Sequence, residues 1–102
     1  YLYQGIYQAM PRPRLNRYVR FNPQVTFYKP QGIPMRYLDI VELSLEEAEA
    51  LRLKNIEKLD QTTCAKNMCT CQSTFQRILA RAYNKISDAI INGKAIKINK
   101  EV

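Results

Sequence analysis

The run from Gln72 to Asn92 leaves this chain the least freedom. Phe75, Ile78, Leu79, Ala82, Tyr83, Ile86, Ala89 and Ile90 recur at three- and four-residue spacing with neither Gly nor Pro between them. Only a helix brings such positions onto one face. Gly93 follows, where a left-handed residue ends a helix cheaply. The pattern predicts a helix over 72–92, roughly 30 Å long at about 1.5 Å per residue.

Two shorter helices are predicted upstream. Asp60 can cap a helix of about eight residues, Gln61 to Met68, with Cys64, Ala65 and Met68 on one side and a break at Cys69-Thr70-Cys71. Ser44 followed by Glu47 is a capping box, and Glu46, Glu47 and Glu49 sit where the helix dipole favours negative charge. A helix from Leu45 to about Glu57 then turns Leu45, Ala48, Leu51, Leu53 and Ile56 inward, with Leu59 beneath the next turn.

The rest reads as short strands and connections. Tyr18-Val19-Arg20-Phe21 and Val25-Thr26-Phe27-Tyr28 are β-branched and aromatic runs divided by Asn22-Pro23, each a strand candidate. Lys29-Pro30-Gln31-Gly32-Ile33-Pro34 has the punctuation of an ordered loop, and Lys94 to Ile98 alternates as a terminal strand placed to join the amino-terminal ones. Pro11-Arg12-Pro13-Arg14 is an extended basic arm, because proline fixes its own φ and restricts its predecessor. The expected fold is mainly α (α+β): a three-helix helix-turn-helix unit with an arm and short strands before it and a short strand after it. At 102 residues one compact domain is expected. Residues 1–9 read as a tag or extension ahead of a natural start at Met10, 10–38 as basic arm and strands, and 39–102 as the helix-turn-helix domain.

Charge is partitioned along the chain. Residues 1–38 hold six bases and no acid, 39–60 seven acids against three bases, and 61–102 seven bases against two acids, which makes blocks of +6, −4 and +5 in a total of +7. Two basic blocks suit a polyanion partner, since each neutralised phosphate releases counterions. Ordinary solvated lysines would give the same totals. No apolar run approaches the roughly 20 residues of a membrane span and no cleavable leader is visible, so a soluble, cytoplasmic protein without a membrane partner is expected.

Catalysis is not expected. Without His no Cys-His or Ser-His pair can form, no Gly-rich phosphate loop occurs, and helix capping accounts for the clustered carboxylates. Cys64, Cys69 and Cys71 leave a tetrahedral zinc site one ligand short, so neither metal nor cofactor is expected. An odd set confined to one segment also argues against a disulfide framework. Cys64 reads as a core residue, and Cys71, at a helix start that lowers thiol pKa, as the thiol open to redox sensing.

A short helix, a break and a longer helix with polar groups on its outer face make the helix-turn-helix plan. That face holds Gln72, Ser73, Gln76, Arg77, Arg81 and Asn84. Glutamine matches the donor and acceptor edge of adenine and arginine the paired acceptors of guanine, so Gln72, Gln76 and Arg77 are the candidate base readers. Arg12, Arg14, Lys66, Ser73, Thr74, Arg81 and Lys85 are the candidate phosphate contacts, which set register without reading sequence. The same face would also serve a small bundle as its solvated side.

Four strings carry a family likeness: Pro11-Arg12-Pro13-Arg14, Thr26 to Pro34, Leu45 to Leu53, and Ser73 to Leu79 with Asn92-Gly93-Lys94-Ala95. Over essentially Met10 to Lys100 the chain resembles the prokaryotic family called domain of unknown function 134. The resemblance implies DNA binding through a helix-turn-helix similar to region four of the sigma-seventy class of sigma factors, which reads promoter DNA in the major groove. The turn departs from the family, whose usual Gly, hydrophobic residue and Ser are here Cys69-Thr70-Cys71. Cysteine at the glycine position should loosen the turn, and cysteine at the serine position should weaken the cap by about 1 kcal/mol. The family's arm often has a cysteine where this chain has Leu15-Asn16. Sequence-specific binding of double-stranded DNA in transcription regulation is the expected function, and a homodimer is the assembly common among such readers. The rivals are an interaction module that contacts RNA polymerase through the acidic helix, and an RNA binder that uses the basic amino-terminal half and its tyrosines.

Overall fold

Three helices and a three-stranded sheet make an α+β arrangement in a computed structural model that describes residues 18–100. The order is β1 (Phe27–Tyr28), a 3-10 turn (Met35–Tyr37), β2 (Ile40–Ser44), α1 (Leu45–Leu51) running on through a π-helical turn (Arg52–Ile56), α2 (Gln61–Asn67), α3 (Gln72–Asn92) and β3 (Ala95–Asn99). α1 and α3 pack on the sheet and α2 packs on α3. The extension expected over 1–9 and the arm at Pro11-Arg12-Pro13-Arg14 lie outside the described residues.

β3 occupies the middle of the sheet. It runs antiparallel to β1, pairing Phe27 with Lys97 and Tyr28 with Ile96, and parallel to β2 from Ile40 opposite Ala95 to Ser44 opposite Asn99. The terminal strand therefore joins the amino-terminal one as its alternation predicts. The strand expected at Tyr18 to Phe21 does not form. Its backbone donors are taken by helices instead: Tyr18 N–H reaches the Met68 carbonyl at 3.2 Å and Arg20 N–H the Glu49 carboxylate at 3.2 Å. β2 was not anticipated, because its five residues run directly into the capping box of α1.

Capping chemistry sets the helix starts. Ser44 Oγ accepts from Glu47 N–H at 3.1 Å while the Glu47 carboxylate accepts from Ser44 N–H at 2.9 Å, and Asp60 Oδ1 accepts from Thr63 N–H at 2.7 Å. Gly93, at φ 67°, ends α3. The loop expected from Lys29 to Pro34 is closed by the Lys29 ammonium on the Ile33 carbonyl at 2.7 Å.

Apolar burial falls into two clusters. Ala50 and Leu53 meet Cys64, Ala65 and Met68 of α2 and Phe75, Ile78 and Leu79 of α3, while Leu43 and Ile98 of the sheet meet Ala48 and Ala82. Cys64 is thus a core residue, as expected. The expected inward faces are partly corrected. Ile56 is 74% exposed because the wider turn at Arg52–Ile56 rotates it outward, and Tyr83 and Ile90 lie on the solvent edge of the α3 stripe.

Candidate nucleic-acid interface

α2 and α3 meet at a turn closed by two backbone bonds, from Cys69 N–H to the Lys66 carbonyl and from Thr70 N–H to the Ala65 carbonyl, each 3.0 Å. This is the Schellman closure, which puts its first residue beyond the cap in the left-handed region. Cys69 takes that place at φ 58°. The turn is therefore not loosened as expected; cysteine adopts the glycine-like conformation, and the cost appears as local backbone strain. Cys71 begins α3 without a side-chain capping bond, in line with the weak cap read from the sequence. Its sulfur lies 3.4 Å from Ser73 Oγ and 3.2 Å from Thr74 Oγ1. These hydroxyls, Ser73 first, hold the exposed thiol down to about 6.

Gln72, Gln76 and Arg77 are all exposed along the first half of α3, outside the buried stripe of Phe75, Ile78 and Leu79. Each already has an internal contact. Gln76 Nε2 donates to Gln61 Oε1 at 2.6 Å, Gln72 Nε2 to the same oxygen at 3.4 Å, and Arg77 Nη2 to Thr74 Oγ1 at 3.4 Å. Ser73 on α3 and Lys66 on α2 are exposed and Thr74 is half-buried. Gln61 was missed by sequence reasoning; the available signal was its place as first residue of α2, directly after the cap.

Arg81 and Lys85 are positioned differently. Both reach the carboxylate of Glu47, Arg81 Nε at 3.3 Å and Lys85 Nζ at 2.8 Å. Glu47 is only 2% exposed, whereas the Arg81 side chain remains about half open. Burial pushes the Glu47 carboxyl up, but the Lys85 ammonium, Ser44 N–H and the Arg81 guanidinium outweigh it and hold the group below the usual carboxylate range. The acidic helix is similarly committed at Glu49, gripped by Arg52 through Nε–Oε1 at 2.8 Å and Nη2–Oε2 at 3.0 Å. Arg12 and Arg14 lie outside the described residues. Among the described residues no group of three His, Cys, Asp or Glu side chains is placed to hold a metal ion, and no helix is long and apolar enough to cross a membrane.

The family model described as "Protein of unknown function DUF134" matches residues 8–101. A UPF0251 protein of Thermoanaerobacter pseudethanolicus is 51% identical over 89 residues, which span 87% of this chain and 75% of the relative. One from Thermoanaerobacter sp. is also 51% identical, over 87% of this chain and 79% of its own. Another from Moorella thermoacetica is 49% identical, over 87% of this chain and 60% of its own. No solved structure matches significantly.

Proposed function

We propose, on the premise that the chain belongs to the family of unknown function DUF134, that it is a transcription regulator that binds double-stranded DNA by inserting the first half of α3 into the major groove. One observation carries this reading: Gln72, Gln76 and Arg77 are all exposed along the first half of a helix held to a shorter one by a closed turn. Such a helix offers amide and guanidinium edges to bases without giving up its buried face. The basic balance of residues 61–102 supplies the attraction to phosphate. Ser73 and Thr74 adjoin the reading groups along α3, exposed Lys66 supplies a further cation on α2, and Arg81 can turn its open half to the backbone while tethered to Glu47. The likeness to region four of sigma factors is part of the same proposal.

The acidic-helix rival has less support, because Glu47 and Glu49 face inward at 2% and 1% exposure and each already holds cations. Duplex binding measured against salt tests the reading, with a single-stranded RNA competitor alongside. Affinity should fall steeply with salt at a slope of about 0.9 per phosphate contacted. Arg77→Ala should relax sequence preference, and Lys66→Ala should weaken all sequences alike. Salt-independent or absent duplex binding would sink the proposal, and preferential displacement by RNA would favour the RNA reading.

A further inference from the structure

The strongest unassigned arrangement is the amide bridge between the start of α2 and the outer face of α3. Gln61 Oε1 receives Gln76 Nε2 at 2.6 Å and Gln72 Nε2 at 3.4 Å, so one half-buried side chain serves two of the three candidate base readers. We infer that Gln61 is a positioning residue that fixes which edge of the Gln76 amide faces the groove, and so gives the protein its preference for adenine at the position Gln76 reads. This rests on the DNA-binding reading above.

A glutamine reads adenine by donating from Nε2 to N7 and accepting at Oε1 from N6. A free side chain samples both amide faces and several rotamers, and immobilising it on binding costs affinity. At Gln76 the ambiguity is removed before DNA arrives. One of its two amide protons is spent on Gln61 Oε1, and flipping Gln76 alone would set two carbonyl oxygens against each other at hydrogen-bonding distance; flipping Gln61 with it is opposed by Gln72 Nε2, which would then face the Gln61 Nε2. The remaining N–H and Oε1 are the donor and acceptor that adenine requires. The longer contact from Gln72 leaves it freer, so Gln76 is the more sharply oriented reader. The Nε2 of Gln61 takes part in neither of these bonds and is left to donate to a phosphate oxygen, which would tie register to base choice.

The test compares the full chain with Gln61→Leu, Gln61→Ala, Gln61→Glu and Gln76→Ala, each selecting bound duplexes from a random pool, with thermal melts to compare folding. Gln76→Ala should flatten preference at one base position, which identifies the base it reads. Gln61→Leu and Gln61→Ala should reduce adenine preference at that same position by about two- to tenfold, the range for a side chain no longer held in place. In the Gln76→Ala background they should change it no further. Gln61→Glu keeps an acceptor for Gln76 Nε2 and adds a negative charge, so it should retain the preference while binding all sequences more weakly with a smaller salt slope. Unchanged adenine preference in Gln61→Leu and Gln61→Ala overturns the inference, as does an equal loss on every sequence. Should the unaltered protein select no sequence at all, the DNA reading itself fails, a result no substitution at Gln61 is needed to see.

Discussion

Both halves of α3 carry cations, and the two halves use them in different ways. Gln72, Gln76 and Arg77 are exposed and bonded to the half-buried Gln61 and Thr74. Further along, Arg81 and Lys85 lean onto the buried carboxylate of Glu47, and Asp88 holds Lys94 at 3.0 Å. In the proposed reading the first half is the one that meets DNA, whereas the second is tied by its cations to Glu47 of α1. Helical periodicity cannot separate these roles, since Arg77 and Arg81 are one turn apart and both exposed; the buried acid that captures one of them comes from a remote part of the sequence.

The largest test of this division concerns what holds the first half down. Phe75 is fully buried, and Phe75→Ala should cost about 3–5 kcal/mol in urea unfolding. A loss under 1 kcal/mol would mean that the three-helix cluster is not what fixes the reading face. Next comes the anchor. Replacing Arg81 and Lys85 together by Ala strands Glu47 and should cost about 2 kcal/mol at neutral pH, below the usual figure for a buried pair because both cations are partly solvated. Folding lowers the Glu47 pKa, so the stability it contributes is present above the ordinary carboxylate range and is lost as pH falls through the lowered folded value. The variant should therefore differ most from the parent at neutral pH and converge with it in acid; a pH-independent gap would assign the loss to something other than the carboxylate.

Within the reading half, Arg77→Ala should reduce discrimination at one base pair by about 1–3 kcal/mol with little change in stability. Arg81→Ala should show the opposite balance. Equal effects of the two on sequence preference would erase the proposed boundary within the helix. A smaller effect is expected at the turn, where Cys69→Gly should stabilise by roughly 1 kcal/mol by relieving the left-handed backbone.

The smallest effect concerns Cys71, whose thiol is ionised above about pH 6. In the proposed complex a thiolate ahead of α3 repels phosphate, so duplex affinity should fall by up to about fivefold as pH rises through 6. Stability should run the other way: the folded pKa is depressed, so the contribution is complete above pH 9 and fades as pH drops through 6. Cys71→Ser should flatten both trends.

What the sequence revealed and what it hid divides along the range of the interactions. The bounds of α3, the Asp60 cap, the Ser44 and Glu47 box and the Gly93 stop depend on residues within a turn of one another, and all were legible. β2 was hidden because five alternating residues become a strand only when Ala95 to Asn99 arrive beside them. Tyr18 to Phe21 has strand-like composition, but its nearest acceptors are Met68 and Glu49, not another strand. The candidate site divides in the same way. The outward face of Gln72, Gln76 and Arg77 follows from helical spacing, whereas the hold of Gln61 on two of them and of Glu47 on Arg81 and Lys85 joins residues separated in sequence.

The central position of β3 bears on how the molecule is made. During synthesis β1 and β2 leave the ribosome long before the strand that bridges them, so neither can find its partner until α3 has been completed. The helices, whose contacts are closer in sequence, can assemble first, and the sheet then closes in one late event with a large entropic separation to overcome. Premature termination near Gly93 would release a nascent chain with two unmatched β edges, a product suited to aggregation and to proteolytic clearance.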